Sequence, residues 1–162
     1  MAVDGYLKIG DVKGESQDAG HTDWIDVLSW SWAMQNSASG HVGGGSGVGK
    51  ADVQDFHFVK KVDTSSIDLS KYLLLGKHFD KATFELMKRG GDAKPLLYYK
   101  VEFEQVYISS LSFGGAPEGG AFMENLSFNF AKFKIYYTQQ TKTGSGGAKP
   151  NFGYDVAKHD ES

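Results

Sequence analysis

Two runs of this chain alternate apolar and polar residues over twelve positions, and each changes parity once on the way. Leu97, Tyr99, Val101 and Phe103 stand at odd positions, whereas Val106 and Ile108 continue at even ones. In the same manner Leu126, Phe128 and Phe130 give way to Phe133, Ile135 and Tyr137. Period-two alternation puts one set of side chains on a single face of a β-strand. A parity change that leaves the pattern intact predicts one extra residue, a β-bulge, near Glu104 or Gln105 in the first run and near Ala131 or Lys132 in the second. Long strands bent in this way suit a closed or nearly closed barrel better than a flat sheet.

Four more segments complete the pattern. Leu7 and Ile9 alternate with Tyr6 and Lys8 in a short first strand closed by Gly10 and Gly14. From Trp24 to Met34, Leu28, Trp30, Trp32 and Met34 occupy one face of a second strand, and Ser29, Ser31 and Ala33 the other. Val53–Val62 sets Phe56 and Phe58 against Asp55, His57 and Val59, and a fourth strand carries Ala82, Phe84 and Leu86 before the turn residues Arg89-Gly90-Gly91-Asp92. The only helical spacing is Leu69, Tyr72 and Leu73, with Ser65 and Ser66 as N-cap oxygens, Asp68 in the first turn and Gly76 as the stop. The expectation is a mainly β chain: a six-stranded β-barrel with one short flanking helix, a single domain over residues 1–162.

Composition narrows the function. Seventeen Lys plus Arg against 20 Asp plus Glu give a formal charge of -3, which disfavours nucleic acid as a partner. The absence of cysteine excludes disulfides, thiolate zinc sites and a cysteine nucleophile. The N-terminus lacks the basic and apolar regions of a signal peptide, and no apolar run approaches the ~18 residues of a spanning helix, so no membrane insertion is expected. The 21 glycines are clustered at 40–49, 114–120 and 144–147, where they separate strands. The segments 40–50 and 143–149 read as an extended and a flexible glycine-rich stretch.

No catalytic pattern holds up. Gly44-Gly45-Ser46-Gly47-Val48-Gly49-Lys50-Ala51 begins like a phosphate-binding loop, but Ala51 has no hydroxyl for magnesium and a strand follows where a helix is required. His21, His41, His57, His78 and His159 lack metal-ligand spacing, and Glu102 and Glu104 share a strand face with no partner of distinct role. We therefore expect no enzyme activity, metal or cofactor. Trp30 and Trp32 could stack a sugar in a stand-alone ligand-binding module, although Leu28 and Met34 beside them favour packing in the core. On the opposite face Ser29, Ser31 and Ala33, with Ser127, Asn129 and Ala131 of the last run, are small and uncharged. They fit an ordinary exposed sheet face or the wall of a channel.

From end to end the chain resembles the haemolysin-coregulated protein family, the tube subunit of bacterial type VI secretion systems. The resemblance is carried by Tyr6-Leu7-Lys8-Ile9-Gly10-Asp11-Val12-Lys13-Gly14-Glu15-Ser16 and by Ile25-Asp26-Val27-Leu28-Ser29-Trp30-Ser31-Trp32. Further matches are the glycine-rich loop ending Gly49-Lys50-Ala51, the helix with Gly76-Lys77-His78, Glu124-Asn125-Leu126-Ser127-Phe128-Asn129-Phe130, and Gly153-Tyr154-Asp155 with tyrosine for the family tryptophan. The resemblance implies a homohexameric ring with a wide pore, and rings stacked head to tail into a tube. It further implies a tube built in the cytoplasm inside a contractile sheath, capped by a valine-glycine repeat spike, and secreted without a cleaved signal together with effector proteins in its lumen. By position it places Ser31 on the pore wall, where Ser29, Ser127 and Asn129 accompany it. It also makes His41, Val42, Gly43, Gly44, Gly45, Ser46, Gly47, Val48, Gly49 and Lys50 the loop that reaches the next ring. The chain ends at Ser162, so a fused toxin domain is not expected.

Overall fold

The computed structural model describes residues 2–37, 49–89, 94–116, 118–120, 122–141 and 146–162. Strands β1 (Ala2–Ile9), β2 (Ile25–Val27), β3 (Ser29–Ser31), β4 (Met34–Asn36), β5 (Ala51–Val53) and β6 (Phe56–Lys61) precede helix α1 (Ser65–Leu75). After it come β7 (Phe79–Arg89), β8 (Leu96–Gly114), β9 (Met123–Asn129), β10 (Lys132–Tyr137), β11 (Asn151–Asp155) and β12 (Asp160–Glu161). The chain is thus mainly β, with one helix among the described residues.

The nineteen-residue β8 organises the pairing. Its first part lies between β7 and β10 in a sheet of order β12-β11-β10-β8-β7-β1-β2, and its last part pairs with β9, which pairs with β6, which pairs with β3. Only Leu28 separates β2 from β3, and its N–H donates to the Val59 carbonyl at 2.8 Å. The pairing path therefore runs from β8 through β7, β1 and β2 into β3, β6 and β9, and back to β8. Between the two sheets Phe56, Phe58, Phe84, Phe103 and Phe128 are fully buried. Phe103 meets Phe128 edge-on at 5.0 Å and Phe56 at 5.3 Å, the geometry aromatic quadrupoles favour.

The parity change in the first long run falls where alternation placed it. Phe103 and Val106 are both buried, Glu104 and Gln105 between them are exposed, and Gln105 adopts φ 53°. The neighbouring ladders slip elsewhere, at Tyr98 against β7 and at Ser109 against β9. The last run is corrected: instead of one bulged strand it divides at Phe130–Ala131 into β9 and β10, because its two halves belong to different sheets. The Trp24–Met34 run is corrected too. It breaks into β2, β3 and β4, Ile25 and Val27 point into the core, and Leu28 and Met34 are about half exposed. Strands β11 and β12 had no counterpart among the six expected strand runs.

Helix α1 ends as expected, with Gly76 at φ 63° and the Gly76 and Lys77 N–H groups returning to the Leu73 and Tyr72 carbonyls. Its N-terminus differs from expectation: the N-cap is Thr64, and the Ser65 N–H is accepted by the Asp63 carboxylate at 2.9 Å. The Ser66 hydroxyl is used elsewhere. It donates to the buried Glu124 Oε2 at 2.5 Å, and Lys60 Nζ lies 2.8 Å from that oxygen and 2.9 Å from Asp63 Oδ1. Lys60 and Glu124 face each other across the β6–β9 ladder and are fully buried, so each charge depends on the other. Lys60→Ala is expected to cost about 3–5 kcal/mol in urea denaturation, since it strands the Glu124 carboxylate, whereas the double change Lys60→Met with Glu124→Leu recovers most of that loss.

Residues 10–24 fold over the outer side of β1 and β7. A Cβ on Gly14 would stand 2.4 Å from the Trp24 carbonyl, so only glycine allows this loop to close. His21, buried, stacks on Tyr6 at 4.2 Å, and its Nδ1 and Nε2 lie 2.7 Å from Asp18 Oδ2 and Glu85 Oε2. Arg89 bridges Asp18 and Asp4. Hydrogen bonds from His21 and then Arg89 hold the Asp18 carboxyl below the usual carboxylate range. A carboxylate favoured by the fold stabilises it above the unfolded value, and that contribution is lost as pH falls through the folded one. The melting temperature of Asp18→Asn should therefore lie below that of the unaltered chain at pH 7, with the gap narrowing as the pH falls below the ordinary carboxylate value of about 4.

Candidate functional site

Sheet β3-β6-β9-β8 turns one side inward, carrying Phe56, Phe58, Leu126 and Phe128, and presents the alternate side chains outward. The registers assemble this outer face in rows. Ser31 stands opposite His57, His57 opposite Ser127, and Ser127 opposite Ser110; in the next row Ser29, Val59, Asn125 and Ser112 align. Asn129 follows opposite Tyr107. The four residues singled out in the sequence thus share one face.

Ser29, Ser31 and Asn129 are exposed on it, and Ser127 is not. At 3% exposure its hydroxyl lies 2.7 Å from that of Ser109 and 2.5 Å from that of Ser110. Ser109 in turn donates to Asp55 at 2.6 Å. The bulge at Ser109 turns two hydroxyls toward one position of β9, and they cover Ser127. The surface at that level is therefore made by Ser109 and Ser110. A groove of about 460 Å³ runs across the face, bordered by Ser29, Ser31, His57, Ser110, Ser112 and Asn125 over Val59 and Leu111.

Sequence reasoning missed His57, Ser110, Ser112 and Asn125. Their signal was present, since Ser110 and Ser112 alternate with Leu111 and Phe113 after the parity change, and Asn125 stands two residues before Ser127. Only strand register shows that they lie beside Ser29 and Ser31.

The two rows contain no Lys, Arg, Asp or Glu; Lys61 and Asp55 mark the two ends of the face. The outward side of the other sheet is built differently. Its rows read Asn151, Tyr136, Lys100, Glu85, Tyr6, Asp26 and Gly153, Lys134, Glu102, Thr83, Lys8. Lys100 Nζ is 2.9 Å from Glu102, and that hydrogen bond holds the ammonium above its usual range. One outward face is a lattice of charges and the other a field of hydroxyls and amides. Contacts to the second exchange one neutral hydrogen bond for another with water, so a polypeptide held there is held weakly.

The tryptophans turn away from this face. Trp30 packs against Phe84 at 5.1 Å and Tyr99 at 5.7 Å, and burial raises the Tyr99 hydroxyl above its usual range. Trp32 meets Phe133 at 4.9 Å and donates its N–H to the Gln54 carbonyl at 2.9 Å. Among the described residues no cluster of three or more His, Cys, Asp or Glu is placed to hold a metal ion, and no helix is long and apolar enough to cross a membrane. Of the glycine-rich loop, His41, Val42, Gly43, Gly44, Gly45, Ser46, Gly47 and Val48 lie outside the described residues, whereas Gly49 and Lys50 lead into β5. Ala51 begins that strand, so the phosphate-loop resemblance fails on structure as well. Gly147 and Ala148 of the second glycine-rich stretch are hydrogen-bonded to Gln139, while 143–145 lie outside the described residues.

The family model described as type VI secretion system effector, Hcp, matches residues 6–137. Protein hcp1 of Pseudomonas aeruginosa is 40% identical over 160 residues, covering 98% of both chains. The crystal structure of Hcp1 from Salmonella typhimurium superposes with a TM-score of 0.82 at 32% identity over the full length of both chains. A structure of a type six secretion system protein reaches a TM-score of 0.92 at 27% identity, over 99% of this chain and 100% of that one. On sequence and fold together, the chain belongs to the Hcp family of type VI secretion proteins.

Proposed function

We propose that this Hcp chain is a non-catalytic tube subunit: six copies form a ring, rings stack, and the uncharged face of β3-β6-β9-β8 lines the lumen. The observation that carries this reading is the contrast between the two outward faces. A cargo channel must let its contents slide and leave, and a wall free of formal charge supports that, whereas the charged lattice opposite suits water or a charged neighbour. Ser29, Ser31 and Asn129 supply hydroxyls and an amide to the lumen directly, and Ser127 acts through Ser109 and Ser110.

Ring formation draws support from the edges of the same sheet. Among the described residues β3 pairs only with β6, and residues 107–114 of β8 pair only with β9. The sheet thus has two different open edges, the requirement for a head-to-tail contact between identical chains. The loop from His41 to Lys50, rooted on the β4–β5 hairpin, is assigned to the neighbouring ring. The tube assembles in the cytoplasm within the contractile sheath, carries the valine-glycine repeat spike at its tip, and leaves the cell with effector proteins inside and without a cleaved signal.

A native mass near six times 17.7 kDa, with pored rings in negative stain of the same sample, is the expected result. A monodisperse monomer at high concentration would instead favour a stand-alone binding module. Ser31→Glu places charge on the wall and is expected to reduce retention of co-expressed effectors by about tenfold in pull-downs; unchanged retention and unchanged tube assembly would refute the lumen assignment.

A further inference from the structure

Charge is distributed unevenly along this chain. Residues 1–26 carry six acids against two lysines, and residues 125–154 carry four lysines and no acid. In the order β12-β11-β10-β8-β7-β1-β2, β2 with Asp26 ends the sheet on one side, and β10 with Lys132 and Lys134 lies four strands from it, about 19 Å at the usual strand spacing, with β11 and β12 and their Asp155, Asp160 and Glu161 beyond.

Each side also has an apolar component. On the acidic side a groove of about 580 Å³ is lined by Asp4, Glu15, Asp26 and Asp63 against the single cation Lys61, around Val3 and Leu28, both roughly half exposed. Asp26 is exposed and has no ion-pair partner among the described residues. On the basic side Lys100 and Lys134 lie over one tyrosine ring, 5.1 and 5.3 Å from the Tyr136 centroid. Lys134 has no carboxylate partner among the described residues, whereas Lys100 is paired with Glu102.

From this complementarity we infer that the lysine–tyrosine patch of one copy docks on the acidic groove around Asp26 of the next. This inference rests on the ring reading above, to which it adds the lateral contact on the charged sheet. The contact is heterologous, joining two different patches of identical chains, as closure into a ring requires. Its occupant is a second copy because one chain carries both halves, an acidic rim over an exposed apolar floor and two lysines over the Tyr136 ring. The like-charged sides of two copies repel, which sets the head-to-tail sense. Because both patches face solvent in the single chain, the attraction is screened over roughly 8 Å at physiological salt.

The test is a charge exchange in the full-length chain, read by analytical ultracentrifugation at low and high salt, with melting temperature as a check on folding. Asp26→Lys alone and Lys134→Glu alone each put like charges face to face, and each is expected to raise the dissociation constant of the ring by about tenfold or more. The double variant D26K/K134E reverses both patches, so its copies are complementary again and association returns to within about threefold of the unaltered chain. Rings of the unaltered chain that are indifferent to both single changes overturn this inference alone, as does a double variant no better than the worse single one. An unaltered chain that stays monomeric at every concentration and salt overturns the ring reading and this contact together.

Discussion

Strand β8 is the constraint on which the rest of the structure depends. A strand of nineteen residues has more backbone than one sheet can satisfy on both edges, and here each half finds different partners. The first half is central in the charged sheet, and the second half is the edge of the uncharged one. Gln105, in the left-handed region at φ 53°, lies where the buried positions change from odd to even. That shift lets Phe103 and Ile108 both reach the core although they belong to different sheets. The break between β9 and β10 is its counterpart, for the same chain must leave one sheet and join the other beside β8.

Two outward faces with different chemistry follow from this arrangement. The core of phenylalanines between the sheets is common to both, so each strand is free to vary its outward residues without disturbing the interior. Small hydroxyl and amide side chains collect on one side, and lysines, acids and tyrosines on the other. The buried Lys60–Glu124 pair and the Ser66 hydroxyl fix α1 to the end of the uncharged sheet, which keeps the helix off its outward face. A member of the Hcp family built in this way presents one outward surface of hydroxyls and amides and another of paired charges.

Much of the fold was legible because alternation is a local property. Val101, Phe103, Val106 and Ile108 announced both their strand and its bend, and Gly76 announced the end of the helix. The Trp24–Met34 run was misread because three short strands in succession keep the same average pattern as one long one, while Leu28 lies at the crossing between sheets. Ser66 was read as a cap on the usual preference of serine for helix starts, and tertiary contact claimed its hydroxyl for Glu124 instead. At the candidate site, Ser29 and Ser31 were visible as the small residues between tryptophans. Their neighbours His57, Ser110 and Asn125 were not, since nothing in a linear pattern states which strands lie side by side.

By itself the sequence determined that the chain is mainly β, where its longest strand bends, which residues point inward along most strands, and, through motifs spread over its whole length, its family. Those properties depend on neighbours a few residues apart. Only the tertiary structure decided that the serines of three separate strands form one face, that Ser127 is covered while Ser110 is presented, and that Asp26 of β2 and Lys134 of β10 stand four strands apart in one sheet. Such properties depend on register, which is set by the packing of the whole core, and a shift of one residue would have turned every hydroxyl of that face inward.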